Sequence, residues 1–289
     1  MKILHASLLI SIALTLSLTA CRTGQNRPLH TKTNTLTVAH VTGSALAVEL
    51  NNGSITARAQ DRQDIEIIGV LRMQSQERLE AVSIVTSRDE SDRLTVKVAW
   101  PENRRLNNEG CSINLAIPDA DGIDFQSSNG RIEISGLSGE ARLRTSNGRI
   151  IVDEHHGDLH AHTSNGRIRI QGTAGVIDAQ SSNGRIEVVD AQHSVTARTS
   201  NGSMDISFAE AATGPVEARS SNGSISLTLG SSFQGALQAN TSNGRLDPGN
   251  FPEATTVSSG KHHVHLQFGD SEKTSKVSTS NGPITIRER

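Results

Sequence analysis

An all-β chain wound as a parallel β-solenoid, β-helix-like, with about 18 residues and two strands per rung, is what these 289 residues predict, on three grounds. The first is repetition. Ser-Asn-Gly followed by Arg, Ser or Pro and then an apolar residue occurs eight times, in steps of 18, 18, 18, 18, 21, 21 and 38 residues. A fixed short period marks stacked units, none of which can bury its apolar face alone. The second is alternation. Between Asn129 and Ser146, Ile132 and Ile134 alternate with Arg131, Glu133 and Ser135, and Ala141, Leu143 and Thr145 alternate with Glu140, Arg142 and Arg144. Period two with one apolar face is the pattern of a half-buried strand. The third is a shortage of aromatics, with five Phe, one Trp and no Tyr. A globular core draws much of its buried area from aromatic rings, whereas a thin core between two close sheets has little room for them.

In chain order, residues 1–20 (MKILHASLLISIALTLSLTA) read as a secretion signal, with Lys2 ahead of an apolar stretch too short for a comfortable membrane span. Leu18-Thr19-Ala20-Cys21 resembles the lipobox of bacterial lipoproteins. That resemblance implies cleavage before Cys21, a diacylglyceryl thioether on its thiol and a palmitate-type acyl chain on the new N-terminus. Several chains on one residue give durable anchoring, each buried methylene contributing roughly 0.8 kcal/mol. Arg22 is not the Asp that marks inner-membrane retention, so the expected address in a Gram-negative source is the outer membrane, facing periplasm or surface. Residues 21–35 are polar and read as a flexible tether.

Residues 36–128 form a divergent β region of the same solenoid. Leu46, Val48 and Leu50 precede an Asn52-Gly53 turn, with Ile55 and Ala57 after it. Further alternations are Ile65 with Ile67, Leu94 with Val96 and Val98, and Ile113 with Leu115 and Ile117. Residues 129–289 are the regular part, about a dozen rungs in all being expected. The three added residues of the 21-residue units fall in the middle loop. The 38-residue step reads as two rungs, one lacking the motif and lined by Val264, Leu266 and Phe268. Arg287-Glu288-Arg289 then places charge on a last, edge strand, which discourages further pairing.

Asn-Gly is also a strong hairpin signal, so an antiparallel meander competes with the solenoid. A meander separates equivalent positions by two strands and gains nothing from the period. A solenoid stacks them about 4.8 Å apart, which explains columns of one residue type and lets asparagines bond along a ladder. That ladder would comprise Asn129-Gly130, Asn147-Gly148, Asn165-Gly166, Asn183-Gly184, Asn201-Gly202, Asn222-Gly223, Asn243-Gly244 and Asn281-Gly282. Right-handed winding is the expected hand.

The motif (Thr/Ser)-Ser-Asn-Gly-x-Ile at 18-residue spacing, behind a lipoprotein leader, resembles the bacterial family of candidate adhesins built from β-strand repeats, DUF4097. The resemblance covers residue 36 to the C-terminus. It implies a β-solenoid of envelope proteins and carries over no catalytic residues.

Arg131, Arg149, Arg167 and Arg185, each two after its Asn, form an outward column suited to an anionic polymer or glycan. The alternative is a solvated face neutralised by Glu133, Asp153 and Glu187. His160 with His162, and His263 with His265, have the i, i+2 spacing of a strand metal site, but each pair lacks a third ligand. A calcium ladder is excluded because Asp153 and Asp190 do not recur in every rung. Cys111 reads as a small buried residue. No cofactor is expected. Formal net charge is −2, so no basic surface of the kind nucleic acid requires is anticipated. The functional expectation is an exported, lipid-anchored envelope protein that binds a polymer, glycan or protein partner or acts as a spacer, without catalysis. The alternatives are a glycan-processing β-helix enzyme of the lyase or hydrolase type, and an accessory protein of envelope stress response.

Overall fold

The computed structural model describes residues 29–289 and the pair Ile12–Ala13. The remainder of the leader, Cys21 and the tether up to residue 28 lie outside the described residues.

Alternation along the chain becomes strands whose odd and even side chains part company, as in Leu159–Thr163, where Leu159, Ala161 and Thr163 are buried and His160 and His162 exposed. Each repeat supplies one strand to each of two sheets, and successive repeats pair in parallel and in register. Ile132 pairs with Ile150, Ile150 with Ile168 and Ile168 with Ile186 in the first sheet. In the second, Ala141 pairs with Leu159, Leu159 with Ile177 and Ile177 with Val195. The 18-residue offset is thus a stacking distance, and the antiparallel meander is excluded.

Ten two-strand rungs stack along the axis, beginning with Leu94–Ala99 with Gly110–Ile117 and continuing with Leu46–Leu50 and Ile55–Ala59. The six rungs from Ile123 to Leu229 follow in chain order. The last two do not. Thr274–Thr279 with Ile284–Glu288 lies inside, and Gly235–Thr241 with Leu246–Asp247 lies outside it. Antiparallel strands close the ends. Asp64–Met73 and His30–Ala39 cover one sheet and Ser83–Arg88 the other at the first end. His263–Phe268 and Ala254–Ser259 cover the far end.

Three expectations change here. Residues 30–35 are not tether but the start of His30–Ala39, paired over its full length with Asp64–Met73. Thr31, Thr33, Thr35 and Thr37 give this polar segment the β-branched character that favours strands. The 38-residue step is not two rungs. Val264, Leu266 and Phe268 are buried, but on an antiparallel end strand, while the final motif threads back beneath the rung that precedes it. The C-terminal strand is thus not the outermost: Leu246–Asp247 pairs outside it with Ile284 and Thr285, while Arg287 and Glu288 have no outer partner strand among the described residues. The outermost strand of the second sheet is the uncharged, exposed Ala254–Ser259.

The core lies between the sheets. The first sheet sends in branched aliphatics such as Ile132, Ile150, Ile168 and Ile186, all with no exposed surface. Opposite them the second sheet narrows from Phe125 and Leu143 to Ala161, Ala179 and Ala197. Pairing large against small side chains lets two sheets approach without voids. Aromatics gather at the far end, where Phe233 lies edge-on to Phe268, centroids 5.2 Å apart, and Phe251 edge-on to Phe268 at 5.3 Å. At the first end the short helix Gln76–Ala81, capped by the Ser75 hydroxyl, inserts Leu79 into the core. No helix among the described residues is long and apolar enough to cross a membrane.

Candidate functional site

At each Ser-Asn-Gly corner three residue types do separate work. The Ser or Thr two before each Asn turns inward. Thr163 donates its hydroxyl to the Gly148 carbonyl at 3.1 Å and accepts the Gly166 N–H at 3.1 Å. Such pairing is what makes a buried hydroxyl tolerable. The Gly allows backbone contact between rungs. The Asn side chains point out and bond to one another, Nδ2 to Oδ1, at 2.7–2.8 Å. This ladder runs through Asn52, Asn129, Asn147, Asn165, Asn183, Asn201, Asn222, Asn281 and Asn243, in that spatial order. Each link uses one amide N–H and one lone pair, leaving one of each facing solvent.

The four arginines two after Asn are exposed on consecutive rungs. Arg131 meets Glu133 at 3.5 Å, and Arg185 meets Asp205 at 3.0 Å. Arg149 and Arg167, between them, have no carboxylate partner among the described residues. Glu187 pairs instead with Arg169, and Asp153 with neither. The column continues through Ser203, Ser224 and Pro283 to Arg245.

Across the corner, a second outward column escaped the sequence reading. It comprises the residues three before each Asn, including Arg144, His162, Arg198 and Arg219, all exposed. Its signal was the same period, offset from the conspicuous motif. Arg198 and Arg219 both grip Glu217, at 2.9 and 3.1 Å. The Arg198 hydrogen bond, reinforced by both positive charges and outweighing desolvation, holds that carboxyl below its ordinary value. Beside this column runs a trough of about 420 Å³ lined by His162, Gln180, Ser182, Arg198, Ser200 and Arg219.

The histidine pairs remain apart. His160 and His162 lie on the rung Leu159–Gln171, and His263 and His265 on the far end strand. His160 lies 3.4 Å from Glu140 and 3.8 Å from Asp178. Among the described residues no group of three or more His, Cys, Asp or Glu is arranged to hold a metal. Cys111 is 1 % exposed, and burial pushes its thiol pKa up to about 12. That leaves it almost wholly protonated at neutral pH. Glu109, fully buried, accepts from Arg78 Nε at 2.7 Å and from the Leu106 N–H at 2.9 Å. Burial alone would raise its pKa, but these bonds outweigh it and the group stays ionised.

The family model described as Toastrack DUF4097 matches residues 16–287. Among solved structures, the chain is similar to a candidate lipid-binding protein of Parabacteroides distasonis, at 10% identity over 90% of this chain and 96% of that one, TM-score 0.43. A candidate adhesin of Bacteroides fragilis shows 14% identity over 89% and 97%, TM-score 0.41. A candidate cell-adhesion protein of Clostridium sporogenes shows 12% over 90% and 100%, TM-score 0.31. No curated protein matches the chain.

Proposed function

The chain belongs to the Toastrack DUF4097 family, and on that footing we propose that it is a lipid-anchored module of the bacterial envelope that binds a partner along its outer faces rather than transforming one. The observation that carries this reading is the regularity of the stack. Side chains of one kind repeat at one spacing along flat faces, which suits an extended partner better than a small substrate in a cleft. Two of the outward carboxylates support it too. Glu133 faces Arg58 and Arg131, and Glu217 faces Arg198 and Arg219. Carboxylates held in ion pairs are poorly placed for the paired acid and base work of glycoside cleavage.

Anchoring rests on Cys21. Its replacement, Cys21→Ser, moves the protein from the membrane to the soluble fraction, and undiminished membrane retention contradicts the anchor. With that soluble form, a screen of envelope polymers and glycans tests the binding role. A retained, unmodified polymer supports it; a polymer cut into shorter products makes the protein an enzyme instead.

A further inference from the structure

We propose that the Ser-Asn-Gly corner is a binding track for a linear acidic polysaccharide lying along the stack axis, an inference that deepens the envelope-binding reading and rests on it. The register brings four outward columns together over the eight rungs that carry the motif: the residue three before Asn, the Ser, the Asn and the residue two after. None of these positions holds Asp or Glu, although the chain has 30 acidic residues against 28 basic ones. They hold eight arginines and His162 among serines, asparagines, two glutamines and one proline. The acids stand in the flanking columns, where Glu133, Asp205 and Glu217 take the arginines nearest to them and Asp124 lies 3.6 Å from Arg144.

The centre of the strip is left uncompensated. Arg149 and Arg167 are one rung apart, about 4.8 Å along the axis, and neither meets a carboxylate among the described residues. Like charges directly opposite on neighbouring strands destabilise a sheet. An anion bridging both guanidinium groups relieves that repulsion and is matched by their planar donor forks. On the other side of the corner, the trough along the column three before Asn continues past His162 and Gln180 into a second depression of about 290 Å³ bounded by Arg142, Arg144, His160 and one carboxylate, Asp178. Together they run along the axis, not across it.

The neutral groups select the polymer. Serine hydroxyls, and the amide N–H and oxygen that the asparagine ladder leaves free, are donors and acceptors for sugar hydroxyls. An extended, equatorially linked pyranose chain advances by roughly one rung per sugar, so charge and hydroxyl stay in step with the columns. Single-stranded nucleic acid carries the same kind of charge, but its binding surfaces add aromatic platforms for the bases. None of the four columns contains an aromatic ring other than the His162 imidazole.

The test uses the mature chain carrying Cys21→Ser, with polymannuronate as the acidic polysaccharide, neutral mannan and single-stranded oligo(dT) as comparisons. The triple variant Arg144→Gln, Arg149→Gln, Arg167→Gln is set against Arg58→Gln, Arg169→Gln on the outer face of the first sheet. Polymannuronate is expected to bind at about 50 mM salt, at least about tenfold more weakly at 200 mM, as displaced counterions require. The triple variant is expected to lose about tenfold or more at low salt with an unchanged melting temperature, and the control variant to bind as wild type. Full binding by the triple variant, or oligo(dT) competing as well as polymannuronate, overturns the track. So does absence of polymannuronate binding at low salt. If the envelope-polymer screen then returns another ligand, only the track falls; if it returns nothing, the binding role falls with it.

Discussion

A methyl group added to Gly166 would lie 1.6 Å from the carbonyl oxygen of Gly148 in the rung beneath. The glycine of the motif is therefore fixed by rung-to-rung contact, not by the positive φ that an Asn-Gly hairpin would demand. Gly166→Ala is expected to destabilise the chain by about 1–3 kcal/mol, read as a lower urea midpoint, and an unchanged midpoint contradicts the contact. A second residue runs against its surroundings. His155 occupies the buried middle corner between Leu137 and Thr173 of adjacent rungs, close to the backbone of Leu137, Gly139 and Asp158, and among the described residues neither its ring nitrogens nor the Thr173 hydroxyl makes a well-formed hydrogen bond. Burial pushes the imidazole pKa below its ordinary 6.5. The unfolded chain then binds the proton more readily, so this site's contribution is complete above about pH 6.5 and declines as pH falls toward the folded value. His155→Leu, matching Leu137, is expected to raise stability by about 1–3 kcal/mol and to flatten the loss between pH 7.5 and pH 5. An equal acid loss in the variant removes His155 as its source. The sequence showed His155 only as one of several neighbouring histidines, because the middle turns lack the strict alternation that tells inside from outside.

At the scale of elements, the inward columns were legible because two periods agreed. Alternation named the buried side chain within a strand, and the 18-residue step named its neighbour above. The C-terminal threading was not legible. Asn201, Asn222 and Asn243 are evenly spaced by 21 residues, which points to direct stacking of Asn243 on Asn222. Instead Asn281 lies between them. Nothing in a linear repeat encodes a return of the chain into an earlier level. The first end uses the same device in reverse, since Leu94–Ala99 is laid outside Leu46–Leu50 before the chain returns to Ile123. Cysteine pairs test the order in a Cys21→Ser background. Ser221→Cys with Ser280→Cys is expected to form a disulfide across one rung, within the Cα range such bonds need. Ser221→Cys with Ser242→Cys, two rungs apart, is not. In a chain ending at Lys273 the second pair is expected to close, because the vacated level lets the 21-residue register reassert itself. Ready closure of that pair in the full chain contradicts the threading.

Over the whole molecule, the thirteen strands of each sheet make a rod whose length follows from strand spacing. Its ten parallel rungs span roughly 43 Å at about 4.8 Å per step, and the antiparallel end strands extend it. One core runs throughout, so damage at one level reaches its neighbours. Ile168→Ala is expected to cost about 2–5 kcal/mol and to weaken amide protection in the rungs on both sides. Protection lost from a single rung alone contradicts a shared core. Parallel stacking also aligns the arginines, serines and asparagines of the corner, so the proposed track stands or falls with it. The most direct measurement is the distance between spin labels at Arg131→Cys and Ser224→Cys, five rungs apart in one column. Parallel stacking predicts a backbone separation of about 24 Å, whereas strands alternating in a meander would place the two sites about 48 Å apart, and a distance near the larger value would contradict the solenoid.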